Sequence, residues 1–212
     1  MGTSHRMDLY FVRHGITDWN KEKRYLGHTD RGILINELDQ LTKLKDELQK
    51  ISFDQIFTSD LCRCQETLTY LNLSLPAYVD TRLREMNFGD WEGKTYEELK
   101  HIASYQNWLD NWEHYSTPNG ESGESFKARI NSFFDELFQQ LLENTANYNK
   151  QILIMTHGGV IRYFVSKMVS SHTFWEVTVK HGQGIRLSLD WVKGEWVCNS
   201  LSEVPFQGKE KS

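Results

Sequence analysis

The sequence is poor in cysteine. It has three in 212 residues: Cys62, Cys64 and Cys198. An odd, small number without framework spacing excludes a disulfide-stapled secreted scaffold and points to a reducing cytoplasm. Cys62-x-Cys64 is not a Cys-x-x-Cys pair, so these thiols read as ordinary core or helix-face residues. His-Glu-x-x-His and paired Cys motifs are also missing, so neither a metal ion nor any other cofactor is expected. No apolar run approaches the roughly 18 residues of a membrane span. The N-terminus has no h-region, so neither a membrane partner nor a signal peptide is expected. Met1 to Arg6 reads as a loose leader, with Met7 as an alternative start. Positive charge is not in excess. With 24 Lys and Arg against 29 Asp and Glu, the net charge is -5, which argues against an extended nucleic-acid surface. Any anion site must be a local positive pocket in an acidic protein.

Hydrophobic residues make up 39% and charged residues 25%, the balance of a folded globular chain. The length suits one sizeable core, and residues 1–212 carry no linker, repeat or low-complexity segment. Asp8–Arg13 is a nearly continuous apolar run, the pattern of a strand buried on both faces. Leu38, Leu41, Lys45 and Leu48 mark an amphipathic helix. Phe53–Phe57 alternates as a second strand, after which Ser59 or Asp60 is expected to cap a helix running to about Leu71. A short strand is expected near Tyr78–Asp80, before a loop with Arg84 and Glu85. Residues 94–120 hold Tyr96, Tyr105, Trp108, Trp112 and Tyr115 and end in Pro118-Asn119-Gly120. They read as a helical insertion closed by a turn. Its aromatics either pack it onto the core or wall a substrate pocket. Phe126 to Leu141 has the strongest helical periodicity in the chain. Gln151–Thr156 is another buried strand, followed by a helix through Val160 and Met168. Ile185 to Trp191 alternates, and Lys193-Gly194 turns it into a C-terminal hairpin. The fold class is therefore α/β, a three-layer sandwich with a mostly parallel central sheet flanked by helices.

Two strand ends carry chemistry. Arg13-His14-Gly15 and His157-Gly158-Gly159 each follow an apolar strand and precede a helix. Ligands of open α/β sheets bind beyond the carboxyl ends of the strands, so two such histidines would converge. Helix N-termini there offer N–H groups and partial positive charge to a phosphate. A third strand end, Ser59-Asp60-Leu61-Cys62-Arg63, adds a second guanidinium able to bind phosphoryl oxygens in bidentate fashion. Two arginines and two histidines without a nucleophilic Ser or Cys or a metal are hard to explain as core packing.

These motifs, in order, resemble the phosphoglycerate mutase-like branch of the histidine phosphatase superfamily. The resemblance includes Arg13-His14-Gly15-x-Thr17-x-x-Asn20, Arg24-x-x-Gly27-x-x-Asp30 and Ser59-x-Leu61-x-Arg63-x-x-Glu66-Thr67. It continues through Leu83-Arg84-Glu85-x-x-Phe88-Gly89-x-Trp91-Glu92-Gly93, Gly120-Glu121-Ser122 or Gly123-Glu124-Ser125, and Thr156-His157-Gly158-Gly159. Cys64 stands where alanine is common, and Asp39 where a glycine is usual. The resemblance implies that His14 is the nucleophile and forms a phosphohistidine, with Arg13, Arg63 and His157 holding the phosphoryl oxygens. It implies that Glu85 protonates the leaving group and later activates water. Asn20 is similar to the family's neutral phosphate contact, with Thr17, Gly27 and Gly158 in support. A plain ion pair of Glu85 with Arg82 or Arg84 is the alternative for that residue.

The phosphoryl acceptor separates the branches: water in a phosphatase, a second substrate hydroxyl in a mutase. Met86-Asn87-Phe88-Gly89-Asp90-Trp91-Glu92-Gly93 resembles the phosphatases, whereas mutases show Arg-His-Tyr-Gly there. The expectation is a metal-independent phosphomonoester hydrolase acting on a small phosphorylated metabolite. The alternatives are a cofactor-dependent phosphoglycerate mutase, an α-ribazole phosphatase of cobalamin synthesis, and, more remotely, a silent phosphate-binding module. A homodimer is a further option for the assembly.

Overall fold

The computed structural model describes residues 5–143 and 148–205. Six strands form one sheet: β1 (His5–Arg13), β2 (Gln55–Thr58), β3 (Tyr78–Val79), β4 (Tyr148–Thr156), β5 (Gly184–Val192) and β6 (Glu195–Val204), in the spatial order β3-β2-β4-β1-β5-β6. The helices are α1 (Asp18–Lys21), α2 (Thr42–Leu48), α3 (Cys62–Leu71), α4 (Tyr96–Leu99), α5 (Ala103–Asn111), α6 (Gly123–Leu142) and α7 (Gly158–Met168).

The apolar run of β1 is explained by its place between two neighbours. Met7, Leu9 and Phe11 join the larger core, against α6 and α7, together with Ile152 and Ile154 of β4. Tyr10 and Val12 face the other way and join Leu44, Leu48, Leu71, Leu153 and Met155 under α2 and α3. Alternate side chains point to opposite faces of a strand, so both faces of β1 must be apolar. The result is the expected three-layer sandwich. In α6, Phe126, Ile130, Phe133, Phe134, Leu137 and Leu141 are all buried. The sheet itself is mixed. β3, β2, β4 and β1 run parallel, while β5 pairs antiparallel with β1 and β6 antiparallel with β5.

Three expectations need correction. The leader was expected to reach Arg6, but β1 begins at His5, because His5 and Arg6 continue its pairing with Tyr148 and Asn149. Met1–Ser4 lie outside the described residues. Neither Ser59 nor Asp60 caps α3. Its N-cap is Leu61, and the distant Asp30 Oδ1 accepts from Cys62 N at 2.8 Å while Asp60 is paired with Arg84. The helix expected from Leu38 begins as a 3-10 helix over Ile35–Leu41 and becomes α-helical only at Thr42. In residues 94–120, Tyr105, Trp108 and Trp112 are buried against the core, whereas Tyr96 and Tyr115 are exposed.

Candidate active site

Register places the site. In the parallel β1–β4 ladder Arg13 lies opposite Thr156, so the next residues, His14 and His157, leave the sheet side by side. Their rings are 5.1 Å apart between centroids. Thr58 of β2 lies opposite Met155, which brings the start of α3, with Arg63, to the same edge. His14, Arg63 and His157 are all buried.

His14 Nδ1 is 2.7 Å from the carbonyl oxygen of its neighbour Gly15. A carbonyl only accepts, so Nδ1 carries the proton and Nε2 keeps its lone pair. Burial first, then the Arg63 and Arg13 charges, hold the pKa of His14 well below the ordinary imidazole value. The ring is thus neutral, as an attacking imidazole must be.

Arg63 is fixed at all three nitrogens. Its Nε donates to His157 Nδ1 at 3.3 Å, and its terminal nitrogens donate to the Thr29 and Gly27 carbonyls at 3.0 and 2.6 Å. The loop that carries those carbonyls is itself held, because Glu92 accepts from the N–H groups of His28 and Thr29 at 2.7 and 2.6 Å. Since His157 Nδ1 accepts, its Nε2 carries the proton, which faces Cys64 Sγ at 3.5 Å. Burial pushes the Cys64 thiol far up, so it stays protonated and inert. Burial and the neighbouring Arg63 charge also hold the pKa of His157 well below its ordinary value. Arg13 donates to the Val179 carbonyl at 2.8 Å, and burial lowers its pKa to about 10, which leaves it charged at neutral pH.

Glu85 stands free of both nearby arginines. Arg82 pairs with Asp80 and Glu136, and Arg84 pairs with Asp60. The Glu85 carboxylate instead accepts from the N–H of Gly159 at 2.9 Å, in the first turn of α7, and from Met86 N at 2.9 Å. A helix N-terminus is a favourable place for a carboxylate. Beyond Glu85 a cavity of about 250 Å³ is walled by Tyr25, Phe88, Trp108, Trp112, Phe174 and Trp175. Of the aromatics of residues 94–120, Trp108 and Trp112 therefore do both things considered for them, packing on the core and walling this cavity, while Tyr105 only packs.

The remaining expected positions serve the frame. Thr17 is fully buried, and its hydroxyl and Asn20 form the capping box of α1. Asn20 Oδ1 accepts from Thr17 N and Oγ1 at 3.1 and 3.0 Å, which leaves the amide nitrogen as its donating end. Gly27 supplies the carbonyl that holds Arg63, and a Cβ there would come within 2.2 Å of the Met86 carbonyl oxygen. A Cβ at Gly158 would approach the Arg13 guanidinium at 3.2 Å.

Sequence reasoning missed four residues. His181 packs on His14 with ring centroids 5.4 Å apart. Its signal was a third His-Gly pair, His181-Gly182, but no apolar strand precedes it. Gly159 was overlooked in favour of Gly158, although its N–H is the one that meets Glu85. Arg129 of α6 donates to the carbonyls of Arg82, Arg84 and Glu85 at 2.7 to 2.8 Å and pairs with Glu121. Nothing in its helical context marked it. Arg162 borders the aromatic cavity and is held by the Val177 carbonyl. Among the described residues, no group of three or more His, Cys, Asp or Glu side chains could hold a metal ion.

The model of the histidine phosphatase superfamily (branch 1) matches residues 9–203. The chain belongs to that family. It is 29% identical over 182 residues to the adenosylcobalamin/alpha-ribazole phosphatase of Escherichia coli K12, covering 83% of this chain and 87% of that protein. Its fold matches the crystal structure of the alpha-ribazole phosphatase from Shigella flexneri with a TM-score of 0.76 at 27% identity, over 92% of this chain and 96% of that one. It is also 32% identical over 148 residues to the fructose-2,6-bisphosphatase TIGAR of Xenopus tropicalis, covering 66% of this chain and 53% of the relative. The protein is thus a phosphatase-type enzyme of the histidine phosphatase superfamily. No helix among the described residues is long and apolar enough to cross a membrane.

Proposed function

We propose that the protein hydrolyses the phosphomonoester of a small metabolite bearing an aromatic heterocycle, of the α-ribazole 5′-phosphate kind. His14 Nε2 attacks phosphorus while Glu85, which enters this step protonated, hands its proton to the departing alkoxide. The bond from phosphorus to the ester oxygen breaks as the bond to Nε2 forms. Arg13, Arg63 and the Asn20 amide hold the phosphoryl oxygens, joined by His157 when its Nε2–H exchanges the weak Cys64 Sγ contact for an oxygen, with Thr17, Gly27 and Gly158 maintaining the frame. Glu85 then takes a proton from water, which attacks the phosphohistidine and releases phosphate. Phosphoryl transfer depends chiefly on such positioning and electrostatic stabilisation.

The observation that carries this reading is the position of Glu85, between the cationic histidine pocket and a cavity lined mostly by aromatic side chains. A proton donor belongs at the leaving oxygen, so the cavity beyond it belongs to the leaving group. Aromatic walls favour a flat ring through stacking and burial. The similarity to alpha-ribazole phosphatases over most of the chain narrows the broader expectation of an unspecified small metabolite.

The test is phosphate release, with excess chelator, from α-ribazole 5′-phosphate, p-nitrophenyl phosphate, glycerol phosphate and phosphoglycerates with and without a bisphosphate primer. Expected is a kcat/KM at least about 10-fold higher for the heterocyclic nucleotide than for glycerol phosphate, about 1.4 kcal/mol of extra binding in the transition state. Equal rates would remove the substrate assignment. Interconversion of phosphoglycerates faster than hydrolysis would favour the mutase, and loss of activity with chelator would overturn the metal-independent route.

A further inference from the structure

His181 lies on the turn that leads into β5. Its ring packs against His14 almost as closely as His157 does, at 5.4 against 5.1 Å between centroids. The turn is pinned to the end of β1. The N–H of Gly182 is shared between the carbonyls of Arg13 and His14, both at 3.2 Å, and Arg13 N donates to the Gln183 carbonyl at 2.9 Å. Gly182 has φ +66°, and a Cβ there would lie 2.2 Å from Leu41 Cδ2, so this position accepts only glycine without rearrangement. The backbone thus offers His181 one place, beside His14.

The two flanking histidines differ in what their nitrogens do. Both ring nitrogens of His157 face protein partners, Arg63 Nε and Cys64 Sγ. Among the described residues, His181 Nε2 is buried with no hydrogen-bond partner, and so is Arg13 Nε. Buried polar atoms are nearly always paired, and an unpaired one is costly. Two such atoms on residues adjoining His14 fit a site whose missing partner is a ligand rich in acceptors.

We propose that His181 is a further catalytic residue of the phosphoryl site, its Nε2–H donating to a phosphoryl oxygen beside Arg13 Nε. This rests on the reading of His14 as the phosphoryl acceptor. The groups facing His181 are His14, Arg13 and Arg63, and burial with the two guanidinium charges holds its pKa down at about 3. It is therefore neutral near pH 7, with one ring N–H available as a donor. It takes part in no bond making. It steadies an oxygen while phosphorus passes from the ester oxygen to His14 Nε2.

The experiment uses H181F, which keeps a flat ring and removes the donor, and H181Q, which restores an N–H donor. Steady-state kinetics with p-nitrophenyl phosphate, competitive inhibition by vanadate and Tm are measured for both and for the wild type. A hydrogen bond to an ionised group predicts a loss of about 10- to 100-fold in kcat/KM for H181F. The vanadate inhibition constant should rise in proportion, and H181Q should recover much of both. Wild-type values within about twofold for folded H181F would overturn the proposal. So would equal losses in H181Q and H181F, or a fall in Tm with vanadate affinity unchanged, since these mark a packing role. If H181F does not fold, H181Q decides alone: vanadate affinity and kcat/KM far below wild type in a folded H181Q refute a donor role. A wild-type protein that neither hydrolyses the ester nor binds vanadate would refute the reading of His14, and this proposal with it.

Discussion

Replacing Gly159 with alanine should separate catalysis from stability. A Cβ at this position would lie 2.2 Å from Glu85 Oε1, 3.1 Å from Glu85 Cδ and 3.3 Å from Phe126 Cζ. Ordinary carbon–oxygen contact is more than about 3 Å, so the carboxylate must move by about 1 Å, and the Gly159 N–H to Oε2 bond of 2.9 Å is lost or redirected. The carboxylate ends a flexible side chain and can rotate away at little cost to the fold. Gly159 lies in α7, where alanine is favoured over glycine by up to about 1 kcal/mol. The Tm should therefore hold steady or rise by about 2 to 4 °C. Activity should behave oppositely. A displacement of about 1 Å at a reacting group can cost about 100-fold, and a general acid contributes about 100- to 10,000-fold. The expected outcome is a loss of about 100-fold in kcat/KM for an alkyl phosphate, whose leaving oxygen needs a proton. For p-nitrophenyl phosphate, which needs little, the loss should stay below about 10-fold. Circular dichroism melts and parallel kinetics on the two esters test this. Equal losses on both substrates would refute the proton-donor role of Glu85. A drop in Tm accompanied by a matching drop in both rates would refute the argument that only the carboxylate is displaced.

His14→Ala should abolish turnover and, after quenching at alkaline pH where a P–N bond survives, the covalent phosphoryl label that the wild type acquires; substantial turnover in the variant would sink the assignment of the nucleophile. Arg129→Met removes the clamp on the carbonyls of Arg82, Arg84 and Glu85 and leaves the Glu121 charge without its ion-pair partner; it should destabilise by about 3 kcal/mol, seen as a Tm lower by about 6 to 12 °C, and a shift below about 1 °C would show that the clamp contributes nothing. Stability should also fall with acid. His14, His157 and His181 have folded pKa values held below the ordinary imidazole value of about 6.5, so below that pH the unfolded chain binds protons that the folded chain refuses. The stability present above pH 6.5 is lost as pH falls, by up to about 4 kcal/mol in total at pH 5.5 for three groups; equal urea-unfolding free energies at pH 7.5 and 5.5 would contradict the burial of these rings as neutral groups.

The strand-end histidines were legible because two local signals coincide. An apolar run specifies a central strand, and a His-Gly pair specifies where it stops. Parallel register then does the rest, since Arg13 opposite Thr156 delivers His14 and His157 together. Glu85 was legible only through its motif, because it sits in a loop where periodicity carries no information. His181 carried only a His-Gly pair without an apolar strand before it, and Arg129 carried no signal. Each is placed by contacts far along the chain: the first by bonds from Gly182 and Gln183 to the end of β1, the second by three carbonyls of the 82–85 loop. Hydrophobic periodicity encodes which face of an element is buried, not which loops close on one another. The capping of α3 failed for the same reason. The sequence offers Ser59 and Asp60 nearby, yet the oxygen that meets Cys62 N comes from Asp30, and Arg84 takes up Asp60.

In the proposed reaction, the geometry around Glu85 ties substrate selection to the choice of acceptor. The carboxylate borders the aromatic cavity and is held at the first turn of α7, so it stays in place when the leaving group departs. The space vacated is then next to Glu85, a group able to take a proton from water. A mutase must keep water away from its phosphohistidine and keep the first product bound as the second acceptor. A cavity walled by aromatic rings holds a flat ring by burial and stacking, interactions that do not fix a hydroxyl in line with phosphorus. The same wall that selects a leaving group by its aromatic ring therefore holds none of its hydroxyls in line with phosphorus, and leaves water as the acceptor that Glu85 can activate.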